Sequence, residues 1–364
     1  MDPKHVWSKK NHFGYTPKTM PIFFAVLLSG CFKLDADMAV LDTTVIPYEH
    51  PALTVDDAVI RSIDTPLVCP DGEPARVHTV YRENVTDPVP AVLVFHSGAF
   101  DYVLDHGTSG PLSGPHLHAD PRLTQTFSIR KVWETLGLQI DDIDPAEENR
   151  GELTAALANR GVVQYLPGNC WGDLWHNEEG AQENDIEEER FARNGRALAR
   201  WTALVATDAS YAESQGAAWP TAIDPSSLYA AGLGSGGRGV LELLLDPDSP
   251  PIAGALVDST ADNLAAYRDR PTDFGAEIEG LELIFGADLV DIETQSVAAA
   301  PLPDRLFYLW SSSNPQVPAA AMRPGAEAVA GQLGVRVEDT QQSEHVVSNT
   351  RPDAAADVIG FLFD

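Results

Sequence analysis

The chain has 364 residues, 44% of them apolar and 21% charged, with 54 acidic against 24 basic side chains and a formal charge of −30. That length allows one large domain behind an export segment, and the composition is that of a globular protein. So acidic a surface repels nucleic acid and anionic lipid, which excludes both as partners of the folded surface, and no apolar run reaches the roughly 20 residues that cross a membrane.

The first thirty residues differ from the rest. Lys4, Lys9, Lys10 and Lys18 precede the apolar run "MPIFFAVLL" (20–28), and "LSGC" ends at Cys31. A basic start, a short apolar stretch and small residues before a cleavage point predict an export signal over residues 1–30. The "LSGC" sequence resembles the lipobox of bacterial lipoproteins. The resemblance implies cleavage before Cys31 and acylation of its thiol, so that the protein touches a membrane through lipid alone. Without the signal, 20 basic and 53 acidic residues remain, a formal charge of −33. With Cys31 acylated, Cys69 and Cys170 are left in an oxidising compartment, either as a disulfide or as two separate buried thiols.

Residues 31–52 read as a tether, and the domain as 53–364. "TPLVCPDG" and "ARVHTVYRE" flank a Pro-Asp-Gly turn and predict a hairpin. Continuous apolar runs rich in β-branched residues then predict buried strands over 90–98, 161–168, 226–234, 252–260 and 305–313, with a shorter one over 335–340. Helices are expected between them over 150–160, 186–208, 236–245, 261–268, 323–333 and 352–363. Strands alternating with helices predict an α/β class, a mostly parallel central sheet covered by helices on both faces in a single domain. Residues 270–300 read as an irregular insertion, a candidate lid.

In such sheets ligands bind at the carboxyl ends of the strands. Those ends carry His96-Ser97-Gly98, "PGNCWGDLWHN" (167–177), "GLGSGG" (232–237), Asp258, "SSSNPQVP" (311–318) and "SEHVVSN" (343–349). In this order and spacing the chain resembles the α/β-hydrolase superfamily, in its esterase and prolyl-oligopeptidase-like branches, from about residue 60 onward. The resemblance implies an oxyanion hole from backbone N–H groups near Ser97, Gly98 and Ser235. It implies a G-x-S-x-G elbow at 232–236, an acid in the "SSSNPQVP" turn and a base at His345, in the chain order Ser…Asp…His. No cofactor is implied.

Two of three triad positions depart from the pattern. Gly234 stands where the nucleophile belongs, and glycine keeps the strained turn without supplying an oxygen. Asn314 stands at the acid position, where an amide orients an imidazole but does not stabilise an imidazolium as a carboxylate does. The leading expectation is therefore a degenerate site that binds a small ester- or peptide-like ligand, or a cell-surface protein. The alternative is an active serine hydrolase in which Ser235 attacks, His345 is the base, and Asp258 or Asn314 orients it. A third reading takes Gly232 to Gly237 as the dinucleotide fingerprint G-x-G-x-x-G, with Asp258, 21 residues after Gly237, on a ribose. An export signal without a twin-arginine pattern argues against it, because nicotinamide cofactors are scarce where such a protein folds. His106, His116, His118 and Asp120 read as a solvated loop and not as metal ligands. Trp171, Trp175 and His176 read as pocket-mouth or sheet-edge residues. Glu178 and Glu179 have no evident pairing, and the "NDIEEER" run (184–190) places acids at a helix start.

Overall fold

The computed structural model describes residues 45–68, 74–95, 151–167, 195–214, 223–261, 297, 300–314, 317–344 and 346–364. Within them one sheet carries nine strands in the order β1-β2-β3-β5-β4-β6-β7-β8-β9. In chain order these are β1 (Ile46–Pro47), β2 (Ala58–Val68), β3 (Pro74–Arg82), β4 (Val89–Phe95), β5 (Val163–Pro167), β6 (Ile223–Leu233), β7 (Gly254–Asp258), β8 (Arg305–Trp310) and β9 (Val335–Asp339). β1, β2 and β3 pair antiparallel, β3 pairs antiparallel with β5, and every pair from β5 through β4 to β9 is parallel. An antiparallel start, then a parallel sheet in which the third and fourth long strands exchange places, is the α/β-hydrolase arrangement.

The helices are α1 (Glu152–Arg160), α2 (Gly195–Thr207), α3 (Ala209–Ser214), α4 (Gly237–Leu245), α5 (Ala319–Val329), α6 (Val347–Thr350) and α7 (Pro352–Phe363). Side chains alternate across a strand, so a strand covered on both faces reads as a nearly continuous apolar run. β4 shows this: Ala91, Leu93 and Phe95 join the core under α2, α4 and α5, while Val92 and Val94 join the core under α1, α6 and α7. β7 and β8 divide in the same way, with Val257 and Tyr308 on the first face and Leu256 and Phe307 on the second.

Several elements depart from the sequence expectation. The fold begins inside the expected tether: β1 pairs with β2, and Tyr48 is buried among Ala58, Ile60 and Val80. Helix α5 starts four residues before the expected 323, and Pro324 lies inside it. Pro318 sets an extended backbone immediately before Ala319, and the left-handed Gly331 (φ 81°) follows the helix end. The chain also breaks after α2, where the Asp208 carboxylate accepts the backbone N–H of Ser210 (2.9 Å) and Tyr211 (3.0 Å) and so starts the short α3. The expected helix over 261–268, apart from the buried Ala261 at its start, and all of 270–300 except Val297 and Ala300 lie outside the described residues; those two are buried.

Candidate functional site

The corner at 232–237 is built by steric necessity. β6 ends at Leu233, Gly234–Gly236 form one 3-10 turn, and α4 begins at Gly237. Gly234 has φ 55°, the left-handed backbone of a nucleophile elbow. A Cβ on Gly232 would lie 2.4 Å from the Cα of Gly237, and one on Gly237 would lie 1.9 Å from the Oγ1 of Thr260. Strand and helix are pressed together at these two glycines, and that close approach lets the chain reverse so sharply. The buried Thr260 hydroxyl donates to the Gly234 carbonyl at 2.7 Å and fixes the tip. The elbow is therefore present in shape, and the residue at its tip carries no side chain. The Ser235 backbone forms the middle of the turn; its side chain lies outside the described residues.

Asp258 ends β7 one strand further along the sheet, with 0% of its surface exposed. Its Oδ1 accepts the Ser259 hydroxyl at 2.8 Å. Its Oδ2 accepts the Ser348 backbone N–H at 2.7 Å and the Ser348 hydroxyl at 2.6 Å. Burial pushes the carboxyl above the usual range, against the pull of these donors toward the charged form. The next residue, Ser259, has φ 57° and donates its N–H to the Leu309 carbonyl at 2.9 Å, which ties the strand end to β8. Val346 has φ 55° and is fully buried. A β-branched residue in the left-handed region carries strain on the order of 1–3 kcal/mol and persists only where its surroundings hold it.

Asn314 follows β8 in the turn expected to hold an acid. Its Oδ1 accepts the Val317 N–H at 2.9 Å, and its own N–H donates to the Ser311 carbonyl at 3.2 Å. The carboxamide shapes the approach to α5. The Ser311 hydroxyl donates to the Gln342 carbonyl, and the Thr340 N–H donates to the Trp310 carbonyl at 2.9 Å. The turn after β8 is thus joined to the segment that leads to His345. Glu344 has a buried Oε2 without a hydrogen-bond partner among the described residues, and its charge reaches Arg351, whose guanidinium pairs with Asp353 at 2.8 Å.

The described residues therefore bring together the elbow, Asp258 and the segment flanking His345. His345, the oxyanion candidates Ser97 and Gly98, and Cys31, Cys69 and Cys170 lie outside the described residues, as do His106, His116, His118, Asp120, Trp171, Trp175, His176, Glu178 and Glu179. Among the described residues no group of three or more metal-ligating side chains is assembled. The dinucleotide reading needs the Asp258 carboxylate at a ribose hydroxyl, whereas here it is buried and bonded to Ser259 and Ser348. Sequence reasoning passed over Ser259, Thr260 and Ser348. The run "DST" at a strand end was a legible signal, because three consecutive short polar residues at the close of a buried strand must find partners.

No protein-family model matches the chain, and no curated protein does. Solved structures with a similar chain path include an S-formylglutathione hydrolase from Agrobacterium tumefaciens, at 12% identity and TM-score 0.48, covering 88% of this chain and 98% of that one. Another is the brefeldin A esterase, a bacterial homologue of human hormone sensitive lipase, at 15% identity and TM-score 0.47, covering 96% and 88%. A third is carboxyl esterase 2 from Tuber melanosporum, at 13% identity and TM-score 0.47, covering 90% and 96%. On its own strand order and its elbow, the chain has the α/β-hydrolase fold.

Proposed function

We propose that this protein is a lipid-anchored, exported member of the α/β-hydrolase superfamily that no longer forms an acyl-enzyme and binds a small ester- or peptide-like ligand in the former active-site pocket. A cell-surface protein is the other partner class the reading admits. The observation that carries it is Gly234. The tip of the elbow keeps its left-handed backbone, its carbonyl is held by Thr260, and the position of the attacking oxygen carries a hydrogen. Acyl transfer needs a nucleophile within reach of its base, and at this position there is none. Asn314 supports the same reading: its carboxamide oxygen is engaged with Val317, and an amide at the acid position does not stabilise an imidazolium. The anchor is Cys31, reached through "LSGC", which puts the protein on an exported membrane face.

Fluorophosphonate labelling of the purified protein, with mass spectrometry to locate any adduct and a Ser235→Ala control, tests the proposal. The expected result is no adduct on protein shown to be folded by circular dichroism. An adduct on Ser235 that disappears in the control would establish a relocated nucleophile and an active serine hydrolase, and would end the binding reading.

A further inference from the structure

We propose that Asp258 is a positioning residue for the turn that follows His345, not the carboxylate partner of its imidazole. A carboxylate offers about four acceptor directions. Three donors already surround this one: the Ser259 hydroxyl on Oδ1, and the Ser348 N–H and hydroxyl on Oδ2. All are buried with it, and both acceptor directions of Oδ2 are taken by Ser348. The donors from the far segment, the Ser348 N–H and hydroxyl, sit three positions after residue 345, so the carboxylate grips the backbone of the turn that follows the histidine.

The backbone agrees. Gly234, Ser259 and Val346 all adopt left-handed φ values, of 55°, 57° and 55°. Each is joined to the same three-residue strand end: Gly234 through its carbonyl to Thr260, Ser259 as a member of it, and Val346 through Ser348, two positions on, which Asp258 binds. Strained backbone persists where its surroundings over-determine it, and here Asp258, Ser259 and Thr260 supply the restraint to both the elbow and the histidine segment. This inference does not depend on whether the site turns over substrate. The other charged groups flanking the segment are Glu344, Arg351 and Asp353.

The test follows the His345 resonance in full-length protein labelled with 13Cε1-histidine, assigned with His345→Gln, between pH 5 and 9. Wild type is compared with Asp258→Asn, Asp258→Ala and Ser348→Ala. The carboxamide introduced by Asp258→Asn retains an oxygen for the Ser348 N–H. The expected result is that Asp258→Asn leaves the His345 titration midpoint within about 0.5 pH unit of wild type, while Asp258→Ala shifts or broadens the resonance. A fall of more than about one unit in Asp258→Asn would show a direct ion pair and overturn the proposal. If Asp258→Asn does not fold, Ser348→Ala decides. A displaced His345 resonance with an unchanged midpoint supports positioning, and an unaltered resonance overturns it.

Discussion

Replacing Gly232 with alanine tests the packing of the elbow. The added Cβ would meet the Cα of Gly237 at 2.4 Å, its nitrogen at 2.6 Å and the Gly236 carbonyl oxygen at 2.7 Å. All three are backbone atoms, so no rotamer change relieves the overlap, and the start of α4 must move away from β6. That movement is resisted on the other side, because Gly237 already lies against Thr260 and Gly239 against the Phe95 ring. Overpacking in a well-packed interior costs about 1–3 kcal/mol, and a backbone obstacle puts this substitution at the top of that range or above it. At roughly 2–4 °C per kcal/mol for a domain of this size, melting should fall by about 6–12 °C. Urea denaturation followed by tryptophan fluorescence measures the change, with Gly161→Ala as reference. Gly161 also has a positive φ, 79°, but has nothing within 4 Å of an added Cβ, so it reports backbone strain alone. A Gly232→Ala protein as stable as Gly161→Ala or more so would refute the close approach of strand and helix.

Other substitutions separate the remaining interactions. Thr260→Val removes the 2.7 Å bond to the Gly234 carbonyl while keeping the side-chain shape, and should cost about 1–3 kcal/mol in urea denaturation, whereas Thr260→Ser should retain most of the stability. Tyr308→Phe removes a buried hydroxyl that donates to the Met322 carbonyl at 3.1 Å and should cost about 0.5–1.5 kcal/mol by the same assay. Asp258→Asn should change the pH dependence of stability. Burial raises the folded-state pKa of Asp258, so its contribution is fully present below the unfolded carboxyl value of about 3.9 and is lost as pH rises through the raised value. Wild type should therefore lose stability relative to Asp258→Asn as pH rises from about 4, and denaturation midpoints of the two proteins that diverge in the opposite sense would contradict this. Asp208 and Asp224 act in the reverse direction, since hydrogen bonds from Ser210 and Ser226 hold them low, but both proteins share them and they cancel in the difference.

The parallel sheet was legible because its strands are buried on both faces. The runs around Leu93, Leu256 and Phe307 are apolar without interruption, and only a covered strand tolerates that. Helix α7 was legible to the residue, since Pro352 marks its first turn. Helix α5 was misplaced because Pro324 reads as a helix start in sequence, while the structure accommodates it in the second turn. β1 was missed because two residues carry no periodicity; their pairing with Val59 and Ile60 is a tertiary event. At the site, the glycine pattern 232–237 announced the elbow, because only glycine allows such approach. The distant partner of Asp258 was not legible. Ser348 lies 90 residues away, and nothing local distinguishes a carboxylate that grips a distant backbone from one that orients an imidazole.

The central claim is that the elbow kept its geometry and lost its chemistry. Installing the missing groups tests it most directly. In Gly234→Ser/Asn314→Asp the aspartate keeps an oxygen for the Val317 N–H, and the new serine occupies a backbone already turned to receive it. On fluorophosphonate labelling read by mass spectrometry, the account expects an adduct at residue 234 in the double variant, a slower one in Gly234→Ser alone, and none in wild type. A folded double variant that remains inert, or a wild-type adduct on Ser235, would contradict it.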